Sequence, residues 1–246
     1  MTEPPAASGP HDAGERRAEI AARLATVRAR SAAACAAAGR RGGEVTLIAV
    51  TKTYPVSDIQ LLGELGVTDI GENRDQEAAP KAAAAAALGL PVTWHFVGQL
   101  QTNKAASVVS YAQVIHSVDR LRLARALGSR AAAVGRTVTC LVQVSLDDDP
   151  ARGGVRIPDV AAVADALAGQ ESLVLGGVMA VAPLGVPADV AFGKLRQVAD
   201  AVRSVHPGAV MISAGMSDDL EQAIGAGATH VRVGTALLGG RRAFVG

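Results

Sequence analysis

The chain has 246 residues, a net charge of +1 at pH 7, and a composition that is 49% apolar but only 2% aromatic. That length suits one α/β barrel with a sizeable core, while interspersed charges and scarce aromatics exclude the basic, base-stacking surface of a nucleic-acid binder. No apolar run has the length of a membrane span or a signal-peptide core, and Cys35 and Cys140 have neither metal nor disulfide spacing, so a cytoplasmic protein with no nucleic-acid or membrane partner is expected.

Residues 1–13 are rich in Pro, Gly, Ser and Ala and read as a flexible tail. That leaves residues 14–246 as one domain. Residues 15–38 carry Ile20, Leu24 and Val27 at helical spacing, which predicts an amphipathic helix able to cover one end of a barrel. Residues 45–55, VTLIAVTKTYP, form a continuous apolar run that stops at Lys52 and a proline, the pattern of a strand buried on both faces. A helix over 55–65 follows, with Val56, Ile59, Leu62 and Leu65 in step. The alternation then continues, strand before helix: 67–71 and 76–88, 93–98 and 103–111, 114–118 and 119–134, with Asp119 as the expected N-cap. Next come 137–145 and 158–168, 173–182 and 188–205, 209–213 and 218–224, then a strand over 230–233 and a closing segment from Thr235.

Eight strand–helix units in strict alternation predict a single (β/α)8 barrel of the TIM type with an extra N-terminal helix. A doubly wound open sheet is the competitor, but TKTYP after strand one is not its glycine fingerprint. In either architecture ligands collect at the C-terminal strand ends. There Lys52 offers an amine able to form a Schiff base with a carbonyl, or simply closes a strand. Only Lys52, Lys81, Lys104 and Lys194 among the 24 basic residues are lysines. Other polar groups expected at strand ends are Glu72, Asn73 and Arg74; His95, with Gln99, Gln101, Asn103 and Lys104 beyond it; His116 and Ser117; and Ser145. Each has an ordinary reading as scaffold, turn or, for the acidic run at 147–149, a solvated loop.

The last two strand ends carry more. Ser213, Met216 and Ser217 in SAGMSDD, and Gly234 and Thr235 in RVGT, place hydroxyls and small residues where helices begin, a setting suited to phosphate as well as to ordinary capping. One ligand unites an amine on strand one with a phosphate cup on strands seven and eight: pyridoxal 5'-phosphate has an aldehyde for the first and a phosphate for the second.

The segments AVTKTYP, DIGENRDQEA, WHFVGQLQTNK, HSVDRLRLA, GGVMAVAP and SAGMSDDLEQAIGAGATHVRVGTALLG resemble the pyridoxal phosphate homeostasis protein family, single-domain relatives of the alanine racemase barrel. The resemblance spans about residues 15–240. It implies that Lys52 is the Schiff-base lysine, that Ser213, Gly234 and Thr235 hold phosphate with Met216 and Ser217 in the same loop, and that Arg232 faces the ring nitrogen. It also implies that Asn73 neighbours the ring and that His95 lies in a shared motif. Arg74 and Asp75 in GENRDQE, ARGG after strand five, and leucine for phenylalanine in RVGTALLG depart from the family's usual pattern.

Racemization needs acid–base groups on both faces of the substrate. Alanine racemase draws a tyrosine from a second domain and a partner subunit, and here Tyr54 and Tyr111 are the only tyrosines. The family is regarded as a non-catalytic binder that holds or delivers the vitamin B6 cofactor, with PLP-dependent apo-enzymes as the implied recipients and a monomer expected. A low-activity amino-acid racemase and a Schiff-base aldolase are the alternatives.

Overall fold

The structure, a computed structural model, describes residues 10–147 and 153–240. Nine strands occur in these residues: β1 (Thr46–Val50), β2 (Asp69–Glu72), β3 (Thr93–Phe96), β4 (Val114–Val118), β5 (Val138–Ser145), β6 (Val155–Arg156), β7 (Leu173–Met179), β8 (Met211–Ser213) and β9 (His230–Val233). All pairings are parallel. β1 joins β2 on one side and β9 on the other, β4 joins β5, and all except β6 close into an eight-stranded barrel. The additional β6 pairs with the C-terminal end of β5 through Val144–Val155 and Ser145–Arg156. It is too short for any periodicity to announce it.

The surrounding helices are α1 (Pro10–Ala37), α2 (Val56–Glu64), α3 (Asp75–Ala87), α4 (Ala105–Tyr111), α5 (Leu121–Ala133), α6 (Val160–Ala168), α7 (Ala188–Val205), α8 (Leu220–Gly225) and α9 (Thr235–Leu238). Strand residues that point outward pack on these helices in two large clusters, one against α4 to α7 and one against α1, α2, α3 and α8. Each fully buried Leu, Ile or Val there contributes about 1.5–3 kcal/mol.

Expectation and structure differ in three places. First, α1 begins at Pro10 and lies along the wall rather than over an end. Its Ile20, Leu24 and Val27 pack with Ala49, Val231 and Val233; because α9 is only four residues long, α1 fills the place of an eighth outer helix. Second, Asp119 is not an N-cap. Arg120 occupies that position, Asp119 pairs with the Arg120 guanidinium, and Arg120 reaches Leu100 O at 2.8 Å, so a local ion pair wins over capping. Third, residues 10–13 of the expected tail belong to α1; residues 1–9, and the acidic loop after Asp147 with most of ARGG, lie outside the described residues.

A buried ion pair fixes α1 to α2: Arg16 Nη2 lies 2.6 Å from Asp58 Oδ2 and also donates to Leu238 O. The N-terminal helix is thereby tied to α9 and the strand end beside it.

Candidate functional site at the C-terminal mouth of the barrel

Beyond β1 the chain makes a tight turn, closed by Tyr54 N–H donating to Thr51 O at 3.0 Å, with Lys52 and Thr53 at its corner. Thr53 has φ +69°, the only positive φ among described non-glycine residues. A β-branched residue there is strained by about 1–2 kcal/mol, and its N–H is held by Glu77 Oε2 at 3.0 Å. Underneath, Thr51 Oγ1 donates to Glu72 Oε1 at 2.6 Å, and Lys81 Nζ donates to both Thr51 O and Glu72 Oε1 at 2.7 Å. Burial pushes the Glu72 carboxyl up while Lys81 and Thr51 oppose that rise. Lys81 is thus consumed in an ion pair, whereas Lys52 is exposed and its amine contacts no described partner.

The loop after β8 and the turn after β9 meet beside it. Thr235 Oγ1 donates to Ser217 Oγ at 3.1 Å, and Ala236 N–H points at the same oxygen at 3.2 Å. Met216 is exposed, and its N–H donates to Asp219 Oδ1 at 2.6 Å. Gly215 has φ +87°, and a Cβ on it would stand 2.6 Å from Ala223 Cβ, so only glycine lets this loop fold onto α8. Gly234 packs against the end of β1, where a Cβ would stand 3.5 Å from Val50 O. Thr235 is exposed and Ser217 half-buried, which leaves the hydroxyl pair open to the mouth.

Asn73 lies two residues beyond the Val50–Gly71 pair, as Lys52 does on the neighbouring strand. Its backbone rests on Gly98, where a Cβ would come within 2.1 Å of Asn73 O. That glycine is needed for β2 and β3 to end so close together.

Beneath the mouth the barrel is polar. Arg232 is 4% exposed, and its guanidinium donates to Ser213 Oγ at 2.7 Å and Ala180 O at 3.0 Å. Burial lowers its pKa to about 10, with Asp219 opposing, so it remains a cation at neutral pH. Ser213 Oγ also meets His116 Nδ1 at 2.9 Å; His116 Nε2 meets His95 Nδ1 at 2.9 Å; and His95 Nε2 meets Asp69 Oδ1 at 3.0 Å.

The structure therefore brings Lys52, Asn73, Met216, Ser217, Gly234 and Thr235 to one mouth and sets Arg232, Ser213 and His95 below it. Ser213, expected at the phosphate, is fully buried between His116 and Arg232. His95 has both ring nitrogens engaged. Asp69, and the link from His95 to His116, were missed; the available signal was polar residues at alternate, lumen-facing positions of otherwise apolar strands. Both tyrosines are engaged elsewhere. Tyr54 OH donates to Gly239 O at 2.8 Å, under the Arg16 guanidinium, and Tyr111 packs edge-on against Trp94 with its hydroxyl toward Asp75.

Comparison with known proteins gives the family and the fold. The family model for the alanine racemase N-terminal domain matches residues 23–242. The pyridoxal phosphate homeostasis protein of Mycobacterium tuberculosis is 44% identical over 246 residues, covering 93% of this chain and 95% of that protein; the Escherichia coli protein of the same name is 37% identical over 227 residues, covering 91% and 97%. PipY of Synechococcus elongatus, solved with PLP bound, is 36% identical with a TM-score of 0.78, covering 89% of this chain and all of that one. Alanine racemase from Corynebacterium glutamicum, at 15% identity and a TM-score of 0.67, covers 90% of this chain and 60% of its own, and shares the fold alone. By these matches the chain belongs to the pyridoxal phosphate homeostasis protein family.

Proposed function

We propose that this protein binds pyridoxal 5'-phosphate at the C-terminal mouth, attached covalently to Lys52, and serves to hold and hand on the cofactor rather than to catalyse with it. The carrying observation is that an exposed amine just beyond β1, with no partner among the described residues, shares one barrel mouth with the Ser217–Thr235 hydroxyl pair after β8 and β9. The donor set fits the group. When bound, it supplies an aldehyde that a primary amine can capture and a ring that can accept electron density. Lys52 provides the amine, while Ser217, Thr235 and the Ala236 N–H provide phosphate donors. Asn73 flanks the ring from β2. Arg232 presents a buried cation below, which disfavours a proton on a nearby ring nitrogen and so weakens the ring as an electron sink.

The tyrosine pattern supports holding over catalysis. Tyr54 is buried with its hydroxyl given to Gly239 O, and burial raises its pKa, so the aromatic base nearest Lys52 in sequence is turned away from use. PLP-dependent apo-enzymes are the recipients this reading implies. Titrating cofactor-free protein with pyridoxal phosphate tests it: a saturable absorbance band, absent in Lys52→Ala, is expected, without loss of α-deuterium from labelled alanine or serine. Rapid α-deuterium loss would instead favour a racemase.

A further inference from the structure

The polar core of the barrel contains a continuous chain, Asp69–His95–His116–Ser213–Arg232, joined by contacts of 3.0, 2.9, 2.9 and 2.7 Å. Its ends differ in kind. Arg232 can only donate hydrogen bonds and the Asp69 carboxylate can only accept them. With one proton on each ring, the protons have a single consistent arrangement. His95 must give its Nε2 proton to Asp69, which leaves Nδ1 bare; His116 must then give its Nε2 proton to His95; the bare His116 Nδ1 must accept from the Ser213 hydroxyl; and Ser213 Oγ accepts from Arg232. Every bond points the same way, from the cation under the mouth to a half-buried carboxylate at the start of β2.

We propose that His116 is a positioning residue that acts through Ser213 to aim the Arg232 guanidinium at the cofactor ring, as the central member of this one-directional chain. The inference rests on the cofactor reading above. Three features support it. His116 is completely buried, so a bare Nδ1 without Ser213 would go unsatisfied. Burial, followed by His95, Arg232 and His230, drives His116 toward its neutral form, which the arrangement requires. Arg232 has no carboxylate in direct contact among the described residues, its two bonded partners being the Ser213 hydroxyl and the Ala180 carbonyl, so its orientation depends on the polarity of that hydroxyl.

Two substitutions separate the two faces of the His116 ring. Asparagine places its amide oxygen near the Nδ1 position and can still accept from Ser213; glutamine places its amide nitrogen near the Nε2 position and can satisfy only His95. His116→Asn should therefore hold pyridoxal phosphate within about twofold of the unaltered protein, whereas His116→Gln should weaken it roughly tenfold and shift the absorbance maximum of the bound cofactor. Equal effects of the two substitutions would overturn the positioning role. Nitrogen-15 NMR of the unaltered protein without ligand reads the chain by itself: His116 should be protonated at Nε2 with Nδ1 bare, and an Nδ1–H tautomer at His116 would overturn the proton arrangement. If the unaltered protein took up no pyridoxal phosphate, the cofactor reading would fall and this role for Arg232 with it, while the tautomers would still decide the chain independently.

Discussion

Thr235 Oγ1 donates to Ser217 Oγ across 3.1 Å, joining the turn after β9 to the loop after β8 at the mouth where Lys52 emerges. Neither hydroxyl is sealed in. Bonds from such groups to an anion are charge-assisted and stronger than neutral ones. Ser217→Ala combined with Thr235→Val should thus weaken pyridoxal phosphate binding by about 2–3 kcal/mol, roughly 30- to 150-fold. Pyridoxal, which lacks the phosphate, should bind both proteins alike; an equal loss for both compounds would remove the phosphate from this pair.

Thr53 holds the Lys52 turn in a conformation that threonine disfavours. Asparagine tolerates the left-handed region better and can still give its backbone N–H to Glu77. Thr53→Asn should raise unfolding stability by about 0.5–1 kcal/mol, read as a higher urea midpoint at unchanged slope. A lower midpoint would show that the threonine side chain compensates the strain through its own packing.

Acid should destabilise the fold through the lumen histidines. Burial, with His95 and Arg232 adding and Asp69 opposing, lowers His230 to about 4, and burial pushes His116 well below its ordinary value. Both groups take up protons more readily in the unfolded chain. Their contribution is therefore complete above the ordinary histidine pKa and is lost as pH falls from about 6.5 toward 4, amounting to roughly 3 kcal/mol for His230 alone. Urea midpoints measured from pH 7.5 to 4.5 should decline accordingly. A flat profile would mean that these imidazoles are hydrated or already charged at neutral pH.

The Arg16–Asp58 pair links α1 to α2 with both side chains buried. Asp58→Ala leaves the buried guanidinium with only the exposed Glu19 carboxylate to balance it, and should cost about 2–3 kcal/mol, below the range for a fully unpaired buried charge. Replacing both partners, as Arg16→Met with Asp58→Leu, should recover most of that loss. Equal instability in the double variant would show that the pair's contacts to Glu19 and Leu238 O matter as much as its charge balance.

The barrel was legible because strands buried on both faces read as unbroken apolar runs, and each was followed by a helix with its own periodicity. Lys52 and the Ser217–Thr235 region were legible for the same reason: polar residues at the ends of such runs must surface at the mouth. Depth was not. Alternation says whether Ser213 or His95 faces the lumen, yet not how far below the mouth it lies, because that depends on the stagger between strands, as in the Ser213–His230 pairing. Asp119 failed as a cap because its neighbour Arg120 offered a stronger partner, a competition that capping preference alone does not register.

The most direct test of the account is to add pyridoxal phosphate to the purified protein, reduce with borohydride, digest it, and locate the added mass. The expected result is a single pyridoxyl-phosphate group on Lys52 and none on Lys81, Lys104 or Lys194. Label on any of those three lysines, or no label in a protein that binds the cofactor with a visible band, would contradict the claim that the end of β1 is where it is held.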